Sequence, residues 1–259
     1  MASATRRLIN WAAAFEDGAL IRAAFFGLLA ATGVILYLDY TQMAARAPAD
    51  DPGILTPVLP AFDPSAPAGK PGPSVTTPLD QLRGPLSVAL VSGGVLQLTG
   101  TIDPGAADRV AAEIAAHGEY IKTVALNSPG GSVTDALKIG RLVRDKGFAT
   151  SVAAGALCAS SCPLIFAGGR ERVATADSAI GVHQIYASAP ASALGSSLAN
   201  AGDAMSEAQS MTAEIVRYMS EMGVDQEVWL RALETPPDRL TYLSADELRR
   251  LNLATRVAK

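Results

Sequence analysis

Asn127-Ser128-Pro129-Gly130-Gly131-Ser132 sits between an apolar stretch, Ile121–Leu126, and a run whose apolar residues repeat at helical period. Val133, Ala136, Leu137, Gly140 and Val143 carry that repeat, with Lys138, Arg141 and Arg144 on the other face. The stretch reads as a strand-to-helix turn. Two consecutive glycines there permit positive φ and leave backbone N–H groups uncovered. Such groups, aimed outward at a helix start, can hold a developing oxyanion; a tight turn with no ligand satisfies the same pattern. On the N-terminal side, Ser87–Val91, Ser92-Gly93-Gly94 and Val95–Leu98 predict a β-hairpin, and Thr101–His117 a helix capped by Thr101 or Asp103. On the C-terminal side, Thr150–Ala154, Arg172–Thr175 and Ala179–Val182 read as short strands, with a helix between them from near Ala159 to Phe166. Met205, Ala208, Met211, Ile215 and Met222 mark a long amphipathic helix. Ser244 and Glu247 make a capping box for a last helix, Ala245–Leu251. Strands alternate with helices, so an α/β domain with mainly parallel pairing is expected.

Gly155–Gly169, GALCASSCPLIFAGG, crowds small residues around Ser160 and Ser161 at the predicted start of a buried helix. A serine there gains the positive end of the helix dipole and the N–H of the next residue; a plain serine N-cap is the alternative. His183 ends the apolar Ile180-Gly181-Val182 and is either a structural histidine or a base. The other histidine, His117, falls in the last turn of a helix, where a cation suits the dipole, and reads as structural. Together, a Gly-Gly turn, a helix-start serine and a strand-end histidine make a serine–base–oxyanion set.

With NSPGGSV, CASSCPLIFAGG and IGVHQ in this order, the chain resembles the Clp protease proteolytic subunit and its membrane-bound relatives, within the ClpP/crotonase superfamily. The resemblance runs over about residues 86–255. It implies a repeated ββα spiral and a serine hydrolase, with a peptide or protein as substrate and no cofactor or metal. It brings Ser160 onto the nucleophile, His183 onto the general base, and the N–H groups of Gly131 and Ser161 onto the oxyanion hole. Asp238 falls near the family's aspartate ahead of Leu243-Ser244-Ala245, at a spacing two residues longer; Asp246 is the fallback. The cousin signal peptide peptidase A uses a lysine base, and alignment to it makes Ser161 the alternative nucleophile. Lys138, the nearby lysine, reads as helix surface. Pro163 departs from the small, flexible residues usual after the family's nucleophile. The resemblance also suggests that the Met-rich helix over 203–222 supports a homo-oligomer; simple core packing is the other reading.

Cys158 and Cys162 flank Ser160. At i and i+4 of a helix their Cα atoms would stand about 6 Å apart, within disulfide range. Two small buried thiols packing beside the serine fit equally well.

The N-terminal third is different in kind. Residues 18–38, GALIRAAFFGLLAATGVILYL, carry one charge, Arg22, close enough to the edge to snorkel. At ~1.5 Å per residue they span roughly the ~30 Å hydrocarbon layer. Arg6 and Arg7 precede the segment and Asp39, Asp50 and Asp51 follow it. That bias predicts an uncleaved single-pass anchor over 18–40 with residues 1–17 cytoplasmic and the rest extracytoplasmic, in a periplasm or its equivalent. A cleaved signal peptide and a buried core helix are the alternatives. Nine of the sixteen prolines fall between residues 47 and 79, so 41–79 reads as a semi-rigid spacer before a domain over 80–259. The 259 residues carry a net charge of −4, and 49% are hydrophobic. A chain so composed is neither wholly disordered nor a nucleic-acid binder. Two cysteines and two histidines are too few for a zinc cluster of repeated pairs. The readings left are a membrane-tethered serine hydrolase, a non-catalytic oligomeric scaffold on the same fold, and a crotonase-like acyl-CoA enzyme. A serine-reactive probe separates the first two, and coenzyme A binding identifies the third.

Overall fold

In a computed structural model the described residues are 17–46, 73–184 and 197–258. The chain divides into two units, Met1–Ile54 and Leu55–Lys259. The first holds helix α1, Asp17–Arg46. Within it Ile21–Thr41 has a mean hydropathy of 1.9, and this helix is long and apolar enough to cross a membrane. Phe25, Phe26, Leu28 and Leu36 are exposed along it. The spacer read over 41–79 lies mostly outside the described residues.

In the second unit the short helix α2 (Leu79–Arg83) leads into the hairpin of β1 (Ser87–Val91) and β2 (Val95–Thr99), which pair antiparallel. Then follow α3 (Ala106–His117), β3 (Thr123–Asn127), α4 (Val133–Lys146) and β4 (Ala149–Val152). The hairpin, the 3.6-residue period of α4 and the short strands come out as the sequence indicates. Leu96 and Leu98 of β2 are buried while Gln97 between them is exposed, and Val124 and Leu126 of β3 stand beside the two leucines in parallel register. That alternation commits one face of the sheet to the core. Val110 and Ile114 of α3 and Ala136, Leu137 and Val143 of α4 join it there in a single apolar cluster.

One cap differs from expectation. Neither Thr101 nor Asp103 caps α3, whose N-cap is Gly105. Its free N–H groups go to Asp135 of α4: Oδ1 accepts from Gly105 N at 3.2 Å and Ala107 N at 3.0 Å, while Oδ2 accepts from the Ser132 hydroxyl at 2.6 Å. One carboxylate thus ties two helix starts together. Asp103 is taken by the Leu86 N–H and by Arg109.

The helix read from near Ala159 to Phe166 is present but starts later. Leu157–Ala159 form a strand, β5, and the helix, α5, runs over Cys162–Gly168. Local pattern favours a helix here, but β5 finds a partner far along the chain. It pairs parallel with β7 (Ala179–Val182), and β7 pairs antiparallel with β8 (Thr241–Tyr242). This three-stranded sheet meets the end of β3 through a bridge from Ser128 to Cys158. Between them, β6 (Arg172–Thr175) joins the large sheet, whose order is β1-β2-β3-β4-β6-β9, with β9 at Arg256–Ala258. The long helix α6 spans Ser197–Glu221, α7 Glu227–Glu234, and α8 Ala245–Arg250 with both arms of the capping box formed. Every residue of α5 is buried. Helix α4 approaches it over Gly140 and Gly168, and Tyr218 of α6 donates its hydroxyl to Leu164 O at 2.7 Å.

Candidate active site

Four backbone hydrogen bonds shape the glycine turn. Ser128 N donates to Leu157 O and Ala159 N to Ser128 O, which joins the turn to β5. Ile102 N donates to Gly130 O at 2.8 Å and Ser132 N to Ile102 O at 2.7 Å. This ladder with Ile102 does not use the Gly131 N–H. The Ser128 hydroxyl accepts from Gly130 N at 3.1 Å. Gly130 and Gly131 have φ of 100° and 142°, where a side chain is strained. Space excludes one as well. A Cβ on Gly130 would stand 2.5 Å from the Ser160 Cβ and 2.7 Å from Ala159 O, and one on Gly131 would collide with Ile102 O. Gly130 lets the turn lie directly against Ser160, and Gly131 lets it lie against the Ile102 backbone.

Ser160 stands between the end of β5 and the start of α5. Its φ is 62°, one of two positive values among described non-glycine residues. For an L-residue that conformation costs about 1–2 kcal/mol, so surrounding contacts must enforce it. Its N–H donates to Gly181 O of β7 at 3.0 Å. Ser160 is half-buried, whereas Ser161 is only 2% exposed and gives its hydroxyl to Gly131 O at 3.2 Å. The two adjacent serines therefore face different surroundings. Ser161 is the N-cap residue of α5 but its side chain does not cap, which leaves its hydroxyl to the glycine turn. Cys158 and Cys162 are bonded to each other, with Cα atoms 5.1 Å apart and both side chains fully buried. They do not share a helix. Cys158 is in β5 and Cys162 opens α5, so the bond spans the elbow whose middle residue is Ser160.

His183 follows β7 directly. Ala159 of β5 registers with Gly181 of β7, so Ser160 and His183 leave neighbouring parallel strands at the same end. The chain past the histidine is pinned. Gln184 N donates to Thr235 O at 2.9 Å, and its side-chain amide to Leu233 O at 2.6 Å, both at the end of α7. His183 is half-buried, and burial pushes its pKa below the ordinary histidine value. Asp238 is at the surface, its side chain 74% exposed and 3.8 Å from Arg239. Asp246 is also at the surface, paired with Arg249. Lys138 is exposed on α4, and His117 pairs with Glu113 at 3.0 Å, away from this site.

Two contributors were not legible in advance. Ile102 braces the glycine turn through its backbone, and Thr235 anchors the strand end behind the histidine. Both act across long sequence distances and carry no local signal. A cleft of about 710 Å³ lies elsewhere, lined by Pro73, Thr76, Gly155, Asp177, Leu240 and Tyr242. It borders the loops leading into β5 and β7, whereas Ser160 and His183 follow those strands.

The profile of the Clp protease family matches residues 86–259. Among solved structures, an asparagine-to-aspartate mutant of ClpP1 from Listeria monocytogenes superposes with a TM-score of 0.50. The two are 16% identical, and the match covers 64% of this chain and 91% of that one. This likeness shows the mixed α/β fold. No curated protein matches the sequence. With well over half of its length matched, the chain belongs to the Clp protease family.

Proposed function

We propose that this protein is a membrane-tethered serine peptidase in which Ser160 is the nucleophile and His183 its general base. The observation that carries the reading is the elbow at Ser160. A half-buried serine is held at positive φ against a Gly-Gly turn, while the neighbouring, fully buried Ser161 has its hydroxyl turned into that turn. His183 accepts the Ser160 Oγ proton as the oxygen attacks a substrate carbonyl. The N–H groups of Gly131 and Ser161 receive the oxyanion, each contributing roughly 3 kcal/mol when preorganised. His183 then protonates the leaving amine, and water, activated by the same base, releases the acyl group. Asp238 is the carboxylate assigned to orient the imidazole. From its surface position it does so only if the loop over 236–239 turns inward.

Peptide hydrolysis by the full chain in detergent micelles tests this reading. Only neutral His183 can accept the proton, so activity falls as pH drops through its pKa. Burial lowers that pKa, so the acid limb of kcat/KM lies below the ordinary value of about 6.5. Asp238→Asn lowers kcat/KM by less than about 5-fold, far short of the ~10⁴-fold loss when a buried triad aspartate is replaced. A limb above pH 7 contradicts His183 as the base, and a loss of that larger size means that Asp238 turns inward and orients the imidazole as a buried triad aspartate does.

We infer that α1 anchors the chain with its N-terminus cytoplasmic and the catalytic domain outside. The apolar length of Ile21–Thr41, the Arg6 and Arg7 bias ahead of it and the Cys158–Cys162 bond support this orientation. An alkaline phosphatase fused after Lys259 is then active, and an inactive fusion places the domain inside. No cytoplasmic ATP-driven unfoldase would feed substrate to such a site. Family members are typically oligomeric. The exposed face of α6 over residues 205–210, with Met205 65% exposed, is the surface through which self-association is proposed.

A further inference from the structure

We propose that Cys158 and Cys162 are positioning residues for Ser160, and that their disulfide clamps the serine in its reactive conformation. This inference rests on the assignment of Ser160 as nucleophile. The bond closes a five-residue loop, Cys158-Ala159-Ser160-Ser161-Cys162, with the serine at its centre. Each end is held independently. Cys158 registers with Ile180 of β7 and bridges to Ser128 beside the glycine turn. Cys162 opens α5, every residue of which is buried. The clamp therefore joins the base strand and the oxyanion turn on one side to the helix start on the other. Between these fixed points the chain passes through one non-glycine residue at φ 62°. A five-residue segment without the bond has extended conformations that relieve this φ, and the bond removes them. Ser160 could then swing out of line with the Gly131 and Ser161 N–H groups while sheet and helix stay in place. Neither sulfur touches a reacting atom in this scheme, so the cysteines act through the serine.

The physiological consequence is that the site is competent only in its oxidised form, as an extracytoplasmic domain would be. Both cysteines are fully buried, so a reductant reaches the bond only when the elbow opens. Casual exposure to thiols leaves the site intact.

The test compares the oxidised full chain in detergent micelles with the same protein reduced by a water-soluble phosphine. Reduction splits the S–S bond into two thiols, and the phosphine leaves as its oxide with an oxygen from water. Cys158→Ala/Cys162→Ala is the permanently open form. The readouts are inactivation by a fluorophosphonate, resolved into kinact and KI, and hydrogen exchange at the Ser160 amide, which donates to Gly181 O. Both open forms are expected to lose at least ~10-fold in kinact with KI unchanged. The acid limb of the pH profile stays in place, since His183 is untouched. Exchange at the Ser160 amide rises by a similar factor while α4 and β3 keep their protection. Reoxidation restores the wild type and not the alanine pair. Equal kinact in oxidised and reduced protein, or unchanged exchange at Ser160, overturns the clamp. An oxidised wild type that never labels sinks the peptidase reading instead, and the exchange comparison still decides the clamp.

Discussion

Ser160→Ala is expected to lower peptide hydrolysis and fluorophosphonate labelling by at least ~10⁴-fold, and His183→Ala by a comparable factor. The double variant should be no worse than either single one, because a base without its nucleophile has nothing to activate. Thermal stability should change little for Ser160→Ala, since no described hydrogen bond other than that of its backbone N–H depends on the residue. Ser161→Ala is the discriminating control. It removes a buried hydroxyl bonded to Gly131 O but keeps the backbone N–H proposed for the oxyanion hole. Loss of one such neutral hydrogen bond costs about 1 kcal/mol, so labelling should fall by no more than about 10-fold. Abolished labelling in Ser161→Ala, with Ser160→Ala still reactive, would move the nucleophile by one residue.

Gly130→Ala carries the second large effect. The new methyl would meet the Ser160 Cβ at 2.5 Å, Ala159 O at 2.7 Å and Ser161 N at 2.9 Å, all on the elbow itself. The backbone at φ 100° is also strained for alanine. Together these should cost about 3 kcal/mol of stability and push the serine out of line, lowering labelling by ~10²-fold or more. Gly93→Ala separates the two causes. It has a similar positive φ of 82° in the β1–β2 hairpin, but nothing stands within 4 Å of its added Cβ. Only the conformational cost of about 1 kcal/mol applies there, and labelling should be unchanged. Equal losses of activity in the two variants would mean that the glycine turn matters for folding alone.

Much of the fold was legible because its cues are local. The period of α4, the alternation in β2 and the capping box at Ser244 each lie within one short stretch and survive in the structure. What failed was decided at a distance. Ala159 looks like the start of an apolar helix, yet it ends a strand, Leu157–Ala159, that finds hydrogen-bond partners in β7 and in Ser128. The cap expected from Asp103 is supplied by Asp135, 32 positions further on, because two helix starts converge on one carboxylate. In the candidate site, the glycine turn, Ser160 and His183 each follow a strand, β3, β5 and β7; β5 and β7 are parallel neighbours and β3 meets β5 through the Ser128–Cys158 bridge, so the sequence order of the three could be read as one cluster. The carboxylate proposed at Asp238 lies in an exposed loop, whose path depends on tertiary contacts that leave no local pattern.

The most direct test of the central claim is to map the adduct formed when the oxidised full chain reacts with a fluorophosphonate in detergent micelles. Digestion and tandem mass spectrometry of the peptide containing Ser160 and Ser161 assign the modified oxygen. The account predicts a single adduct on Ser160, absent from the His183→Ala protein. An adduct on Ser161, or a folded and oxidised protein that takes up no probe, would contradict it.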